Sequence, residues 1–382
     1  MSMQQGTDKG SVVIRPEGLQ ALIDALARAG HRVVGPTLRD DAIVYGDIEG
    51  IGDLPQGWTD RQEPGRYAVE RRGDDAYFGY VVGPQSWKQF LHPPMETLWT
   101  AQRDAQGGMA ISPTELPQEK FAFIGVRGCE LHAIAIQDKV FCEGPYIDTA
   151  YAARRRDAFI VAVNCGQAGG TCFCVSMETG PKVDADFDLA LTELIDGGEH
   201  GFLVEIGSEA GAAVMERVQH EPASAVQIAA AAIVERTAGQ MGRSLDTKGL
   251  KELLQDNLEH KRWDEVAERC LTCGNCTMVC PTCFCTTVDD HSDLMNQSAE
   301  RVRKWDSCFT MDYSYIHGGS VRASARSRYR QWMTHKLANW IDQFGTSGCV
   351  GCGRCISWCP TGIDLTEEAA AIRAAPGKTK GK

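Results

Sequence analysis

Cys270-Leu-Thr-Cys273-Gly-Asn-Cys276-Thr-Met-Val-Cys280-Pro281 and Cys349-Val-Gly-Cys352-Gly-Arg-Cys355-Ile-Ser-Trp-Cys359-Pro360 repeat one spacing, C-x2-C-x2-C-x3-C-P. Three thiolates at intervals of three reach three corners of one iron-sulfur cube from a single tight turn. The fourth cysteine of such a run points away, toward a neighbouring cube. A single run is compatible with chance or with zinc. Two runs in one chain predict two cubane [4Fe-4S] clusters, and hence one-electron chemistry.

Exchange of the fourth ligand, as in two-cluster ferredoxins, sets the expected ligand groups. Cys270, Cys273, Cys276 and Cys359 hold the first cube, and Cys349, Cys352, Cys355 and Cys280 the second. Gly274, Gly351 and Gly353 lie inside the loops, where a residue without Cβ lets the backbone wrap closely. Pro281 and Pro360 disfavour helical continuation after each run.

The remaining chain bounds the setting. Its 382 residues are enough for two domains, and 43% of them are hydrophobic, enough for real cores. No run of about 18 apolar residues occurs, so no membrane span is expected. Met1 to Gly10 is polar and lacks the apolar segment of a signal peptide, which makes the cytoplasm the default compartment. In that compartment sixteen cysteines argue for metal ligation over disulfides. A formal charge of −12 argues against a nucleic-acid binder.

The expected fold is an α/β N-terminal region, residues 1–240, followed by a mainly α dicluster module, residues 241–382, with a large helical insertion at 281–348. Leu19, Leu22, Ile23 and Leu26 recur at helical spacing. Tyr77 to Val82, Phe121 to Val126, Ala158 to Val163 and Phe202 to Ile206 read as strands. Leu131 to Lys139, Phe187 to Ile195 and Ala223 to Thr237 read as helices, the second stopped by Asp196-Gly197-Gly198. Gly239 to Thr247 reads as a linker. Beyond it, Leu250, Leu253, Leu254 and Leu258 define a helical face that packs the module onto its neighbour. Within the insertion, Ser324 to Trp340 reads as helix, with Tyr329, Trp332, Met333 and Leu337 available for burial. Arg301 to Lys336 carries eight Arg or Lys against two Asp, either a solvated face or counter-charge for anionic clusters. A polar tail follows from Pro376. No Gly-x-Gly-x-x-Gly follows a strand and no Walker sequence occurs, so nucleotide binding has no foothold.

A third site is a separate candidate. Cys129 and Cys165 each follow a predicted strand, and strand ends in α/β folds meet at one crevice. Cys172 and Cys174 flank Phe173 after the glycine-rich Gly166 to Gly170. Four thiolates from three loops suit a further [4Fe-4S] cluster, a zinc ion, or no metal at all. His132 reads as a packed histidine and Cys142 as a small apolar residue. Cys283 and Cys285 read as structural, and Cys308 has no assigned role.

The run from Cys270 through Pro281-Thr-Cys-Phe-Cys285 resembles the iron-sulfur beta subunits of sulfhydrogenase-type cytoplasmic nickel-iron hydrogenases, and also the electron-transfer subunits of anaerobic sulfite reductases. The likeness continues through Trp305-Asp-Ser-Cys308 and Arg328-Tyr-Arg-Gln-Trp-Met-Thr-His-Lys336, and upstream through Arg127-Gly-Cys-Glu130 and Cys172-Phe-Cys174. It covers roughly Pro84 to Asp364. The family often has Cys-Asp where this chain has Cys129-Glu130, which keeps the thiol and the acid. The resemblance implies a non-catalytic electron-transfer subunit. Its partners would be a diaphorase subunit carrying FAD and NAD(P) and the nickel-iron small and large subunits, or else a sirohaem sulfite reductase subunit. A sulfur- or polysulfide-reducing cluster with an open iron is the catalytic alternative.

Overall fold

The computed structural model describes residues 11–375 except 185, 197, 198, 231 and 296. The readings of Met1 to Gly10, of the tail from Pro376 and of Gly197-Gly198 lie outside the described residues.

An eight-stranded sheet organises the N-terminal region. Its order is Glu221–Pro222, Val12–Ile14, Glu199–Ile206, Leu189–Asp196, Phe159–Val163, Lys120–Val126, His31–Arg39, Ala42–Asp47. The four strands from Leu189–Asp196 to His31–Arg39 run parallel. They are nearly continuous apolar runs because both faces are covered. Ala122, Ile124, Val161 and Leu191 enter one core, against the helix Pro16–Arg28. Phe121, Phe123, Ile160 and Ala190 enter the other, with Leu131 and Tyr151 from the helices Gly128–Phe141 and Thr149–Arg156.

Two elements of the N-terminal region differ from the sequence reading. Leu189–Asp196 is a strand and not a helix, paired antiparallel with Glu199–Ile206. Its short apolar run fits either period, and burial in the sheet decides. Tyr77 to Val82 forms no ladder among the described residues. Carboxylates take its amides instead: Glu193 accepts from Tyr77 N and Phe78 N at 2.7 and 2.9 Å, and Asp60 from Val81 N at 2.7 Å.

The C-terminal region packs the helices Leu250–Asp256, Arg262–Arg269, Ala325–Thr334 and Leu365–Ala374 around Trp263, Trp332, Met333, Leu337 and Ile372. Leu250 and Leu254 are buried as their spacing predicts, whereas Leu258 is exposed because the helix ends at Asp256. The insertion is helical from Ala325 to Phe344 but opens with an antiparallel pair, Thr286–Ser292 with Ser298–Trp305. That pair joins Met95–Arg103 and Met109–Pro113 in a four-stranded sheet, which stitches the insertion to the N-terminal region. The basic stretch is largely paired: Arg303 with Glu96 and Asp148, Arg301 with Asp290, and Arg326 and Arg330 with Glu259.

A candidate chain of iron-sulfur sites

Cys270, Cys273, Cys276 and Cys359 line one cavity, with Cys355, Tyr329 and Trp332 in its wall. The turn that carries the first three uses Gly274 at φ +78°, a left-handed conformation that favours glycine. Backbone amides point at the sulfurs: Thr272 N donates to Cys270 Sγ at 3.4 Å and Ile363 N to Cys359 Sγ at 3.3 Å. Such N–H···S contacts raise the potential of a thiolate-ligated cluster. The Tyr329 hydroxyl and the Trp332 indole N–H are buried and have no partner among the described residues. Unsatisfied donors in a cysteine-lined wall suit an acceptor such as cluster sulfur. The donor set and its surroundings therefore fit a cube.

Cys280, Cys349, Cys352 and Cys355 form the second set, each felt electrostatically by others in it. Lys336, only 5% exposed, sets its Nζ 3.2 Å from Cys280 Sγ, with Thr282 Oγ1 and the Gly348 carbonyl each at 3.0 Å. The adjacent Cys283 thiol and this ammonium hold Cys280 well below the usual thiol range despite burial. Burial pushes Cys349 up to about 12 and Cys355 well above its ordinary value.

Cys129, Cys165, Cys172 and Cys174 line a third cavity, which Cys352 also borders. A bulge at Gly125 ends the strand Lys120–Val126 and turns the chain so that the next helix begins with Gly128-Cys129. Cys165 follows the parallel neighbour Phe159–Val163, and the 3-10 turn Cys174–Met177 closes the loop that carries Cys172 and Cys174. Burial raises all four thiols, Cys174 to about 12. A metal bound there would have to displace their protons. Arg127, 1% exposed, lines this cavity and keeps a buried Nε without a partner among the described residues. Thiols, an unsatisfied guanidinium donor and enclosure together fit a cube here as well.

A buried ion pair joins the second and third sites. Arg354, next to Cys355, meets Glu130, next to Cys129, at 2.5 Å, and both are at most 1% exposed. Glu130 also accepts from Tyr45 Oη at 2.9 Å, Trp87 Nε1 at 3.0 Å and Arg127 N at 3.1 Å. The second cysteine turn lies directly on the third-site loop. Phe173 N donates to the Gly351 carbonyl at 2.8 Å, and Thr179 Oγ1 to the Val350 carbonyl at 2.6 Å. The family motifs Arg127 to Glu130 and Arg328 to Lys336 contain Glu130 and Lys336, but nothing in the sequence pairs Glu130 with Arg354 or Lys336 with Cys280.

Other cysteines and histidines fall outside these walls. His132 lies 3.4 Å from Asp184 and borders none of the cavities described above, and Cys142 packs at the edge of a core. No helix among the described residues is long and apolar enough to cross a membrane.

Comparison with known proteins agrees with this geometry. The family model described as a 4Fe-4S dicluster domain matches residues 269–363. The chain is 34% identical over 295 residues to the sulfhydrogenase 2 subunit beta of Pyrococcus furiosus (strain ATCC 43587 / DSM 3638 / JCM 8422 / Vc1), a match spanning 75% of this chain and 82% of that protein. No solved structure matches. An iron-sulfur protein with an electron-transfer role in an oxidoreductase complex, the chain belongs to the family of sulfhydrogenase beta subunits.

Proposed function

We propose that this chain relays electrons through three [4Fe-4S] sites between a nickel-iron hydrogenase module and a flavin/NAD(P) diaphorase module. When bound, such clusters supply reversible one-electron oxidation and reduction without making or breaking a substrate bond. The observation that carries the reading is the position of the second cysteine turn. Cys352 borders the cavity of Cys129, Cys165, Cys172 and Cys174, while Cys355, three residues on, borders that of Cys270, Cys273, Cys276 and Cys359. The second set thus stands between the other two and makes a linear order: third, second, first. Arg354 and Glu130 hold the third-to-second junction, and Tyr329 and Trp332 screen the first site from water. Cys273 alone in these sets is exposed, so the first site is the natural end for exchange with a partner.

An anaerobic pull-down tests the wiring. Recovery of a nickel-iron large subunit together with a flavoprotein supports it, whereas recovery of a sirohaem protein places the chain in sulfite reduction. Cys276→Ser tests the relay itself. It is expected to remove the first cluster's reduced-state signal and to stop electron delivery to the flavin partner. Full cluster content with full transfer refutes the ligand assignment.

A further inference from the structure

Cys283, Cys285 and Cys308 belong to none of the three sets, yet the fold gathers them. Thr286 pairs with Trp305 at the end of the insertion's hairpin, and the Asp306 amide continues the pairing by donating to the Cys285 carbonyl at 2.8 Å. Cys308 follows two residues later, in the turn after the hairpin. Cys283 and Cys285 stand two apart on an extended approach and so share a side. Phe284, between them, takes the other side, where its ring meets those of Trp340 and Phe344 at 5.4 and 6.1 Å. The thiols of Cys283 and Cys285 are electrostatic neighbours, as are those of Cys285 and Cys308, and the Tyr313 hydroxyl is an electrostatic neighbour of Cys285.

The charges around these thiols point to an anion. Lys88 is 4% exposed, and its Nζ has the Cys283 carbonyl at 3.0 Å and the Trp305 ring centroid at 3.8 Å. No carboxylate among the described residues pairs with it. Lys336 lies near enough to oppose its charge electrostatically. Two buried ammoniums in one low-dielectric neighbourhood, both without carboxylates, are strongly unfavourable unless negative charge lies between them. The second cysteine set answers Lys336 through Cys280. Lys88 feels Cys283 first and Cys280 second, the reverse of the order for Lys336. The thiol with the largest influence on Lys88 is therefore Cys283, which lies outside the second set.

We propose that Cys283, Cys285 and Cys308 ligate a fourth iron-sulfur cluster, with Lys88 as its counter-cation. Three cysteines leave one iron for an oxygen ligand, and the Tyr313 hydroxyl is the neighbouring group. Tyr313 is 37% exposed, so this cluster reaches the surface. Its ligands adjoin Cys280 of the second set and Cys276 of the first. The site therefore gives the relay a side branch, whether or not the third site is loaded and whichever complex the chain serves.

Iron counting with spectroscopy on anaerobically purified full-length protein tests it. The triple variant Cys283→Ser, Cys285→Ser, Cys308→Ser is expected to lose about four iron atoms relative to the parent. It should keep the reduced-state signals that Cys276→Ser and Cys352→Ser remove. An unchanged iron count overturns the proposal, as does loss of either of those signals, or zinc in place of the lost iron. Lys88→Met is a second test that leaves every ligand in place. It is expected to lower the midpoint potential of one signal, the one absent from the triple variant, and unchanged midpoints overturn the assignment of Lys88.

Discussion

Gly353→Ala tests whether close contact of two backbones holds the second and third sites together. Gly353 has φ +75°, and a Cβ there would lie 2.4 Å from the Thr171 carbonyl oxygen and 2.6 Å from its carbon. Gly345 is the matched control, with φ +69° and nothing within 4 Å of the same Cβ. The left-handed backbone alone costs an L-residue about 1–2 kcal/mol. Gly345→Ala should lose that much stability and no more. Gly353→Ala adds an overpacking term of about 1–3 kcal/mol, because the obstacle is backbone and not the tip of a flexible side chain. The variant is therefore expected to lose about 2–5 kcal/mol in total. Relief of the clash moves the Cys349 to Cys355 turn off the Thr171 to Cys174 loop, so magnetic coupling between the second and third clusters should weaken as well. Anaerobic guanidinium unfolding, read by tryptophan fluorescence, measures the first effect, and spin-coupled lines in the reduced spectrum report the second. Equal stability for the two alanine variants, with coupling intact, would refute the idea that this contact positions the sites.

Two other perturbations follow from the electrostatics. Lys336→Met removes a buried positive charge 3.2 Å from Cys280 Sγ and should lower the midpoint potential of the second cluster by on the order of 100 mV at an effective dielectric near 20; Lys336→Arg should retain most of it, and redox titration separates the two outcomes. Burial pushes Cys174, Cys308 and Cys349 up to about 12. A thiol raised in the folded state contributes its full stability below its unfolded value of about 8.5, then loses it as pH climbs toward the folded value. The iron-free chain should therefore weaken between about pH 8.5 and 12, while the loaded chain, whose thiolates are already formed, should not. Unfolding midpoints of both forms across that range check the sign.

What could be read from the sequence divides by range of interaction. The two cysteine runs are local: spacing, glycines and prolines within twelve residues specify turn, ligand count and cofactor class. The third set was legible because each parallel strand ends where its loop begins, so Cys129 and Cys165 had to approach one edge. Leu189–Asp196 was misread because a short buried strand and a buried helical segment share an apolar run, and Asp196-Gly197-Gly198 suits a hairpin turn as well as a helix stop. The hairpin that opens the insertion was missed for a different reason. Thr286–Ser292 is mostly polar, and its sheet is completed by Met95–Arg103, nearly two hundred residues earlier. Lys88 had no signal at all and Glu130 only that of a family motif, since a buried charge resembles a surface one until its surroundings are known.

The buried cations also suit an acidic chain to anionic cofactors. With a net charge of −12, the surface offers no general excess of positive charge. The one basic stretch, from Arg301 onward, spends most of its arginines on carboxylates. Compensation lies inside instead, with Arg127 at the third cavity, Arg354 at the junction, Lys336 in the insertion and Lys88 packed against it from the N-terminal region. Each is at most 5% exposed, and screening by salt reaches such charges only weakly. A fixed internal cation stabilises the reduced, more negative form of a nearby cluster more than the oxidised one. In the proposed relay these side chains would therefore act on potential as well as on folding.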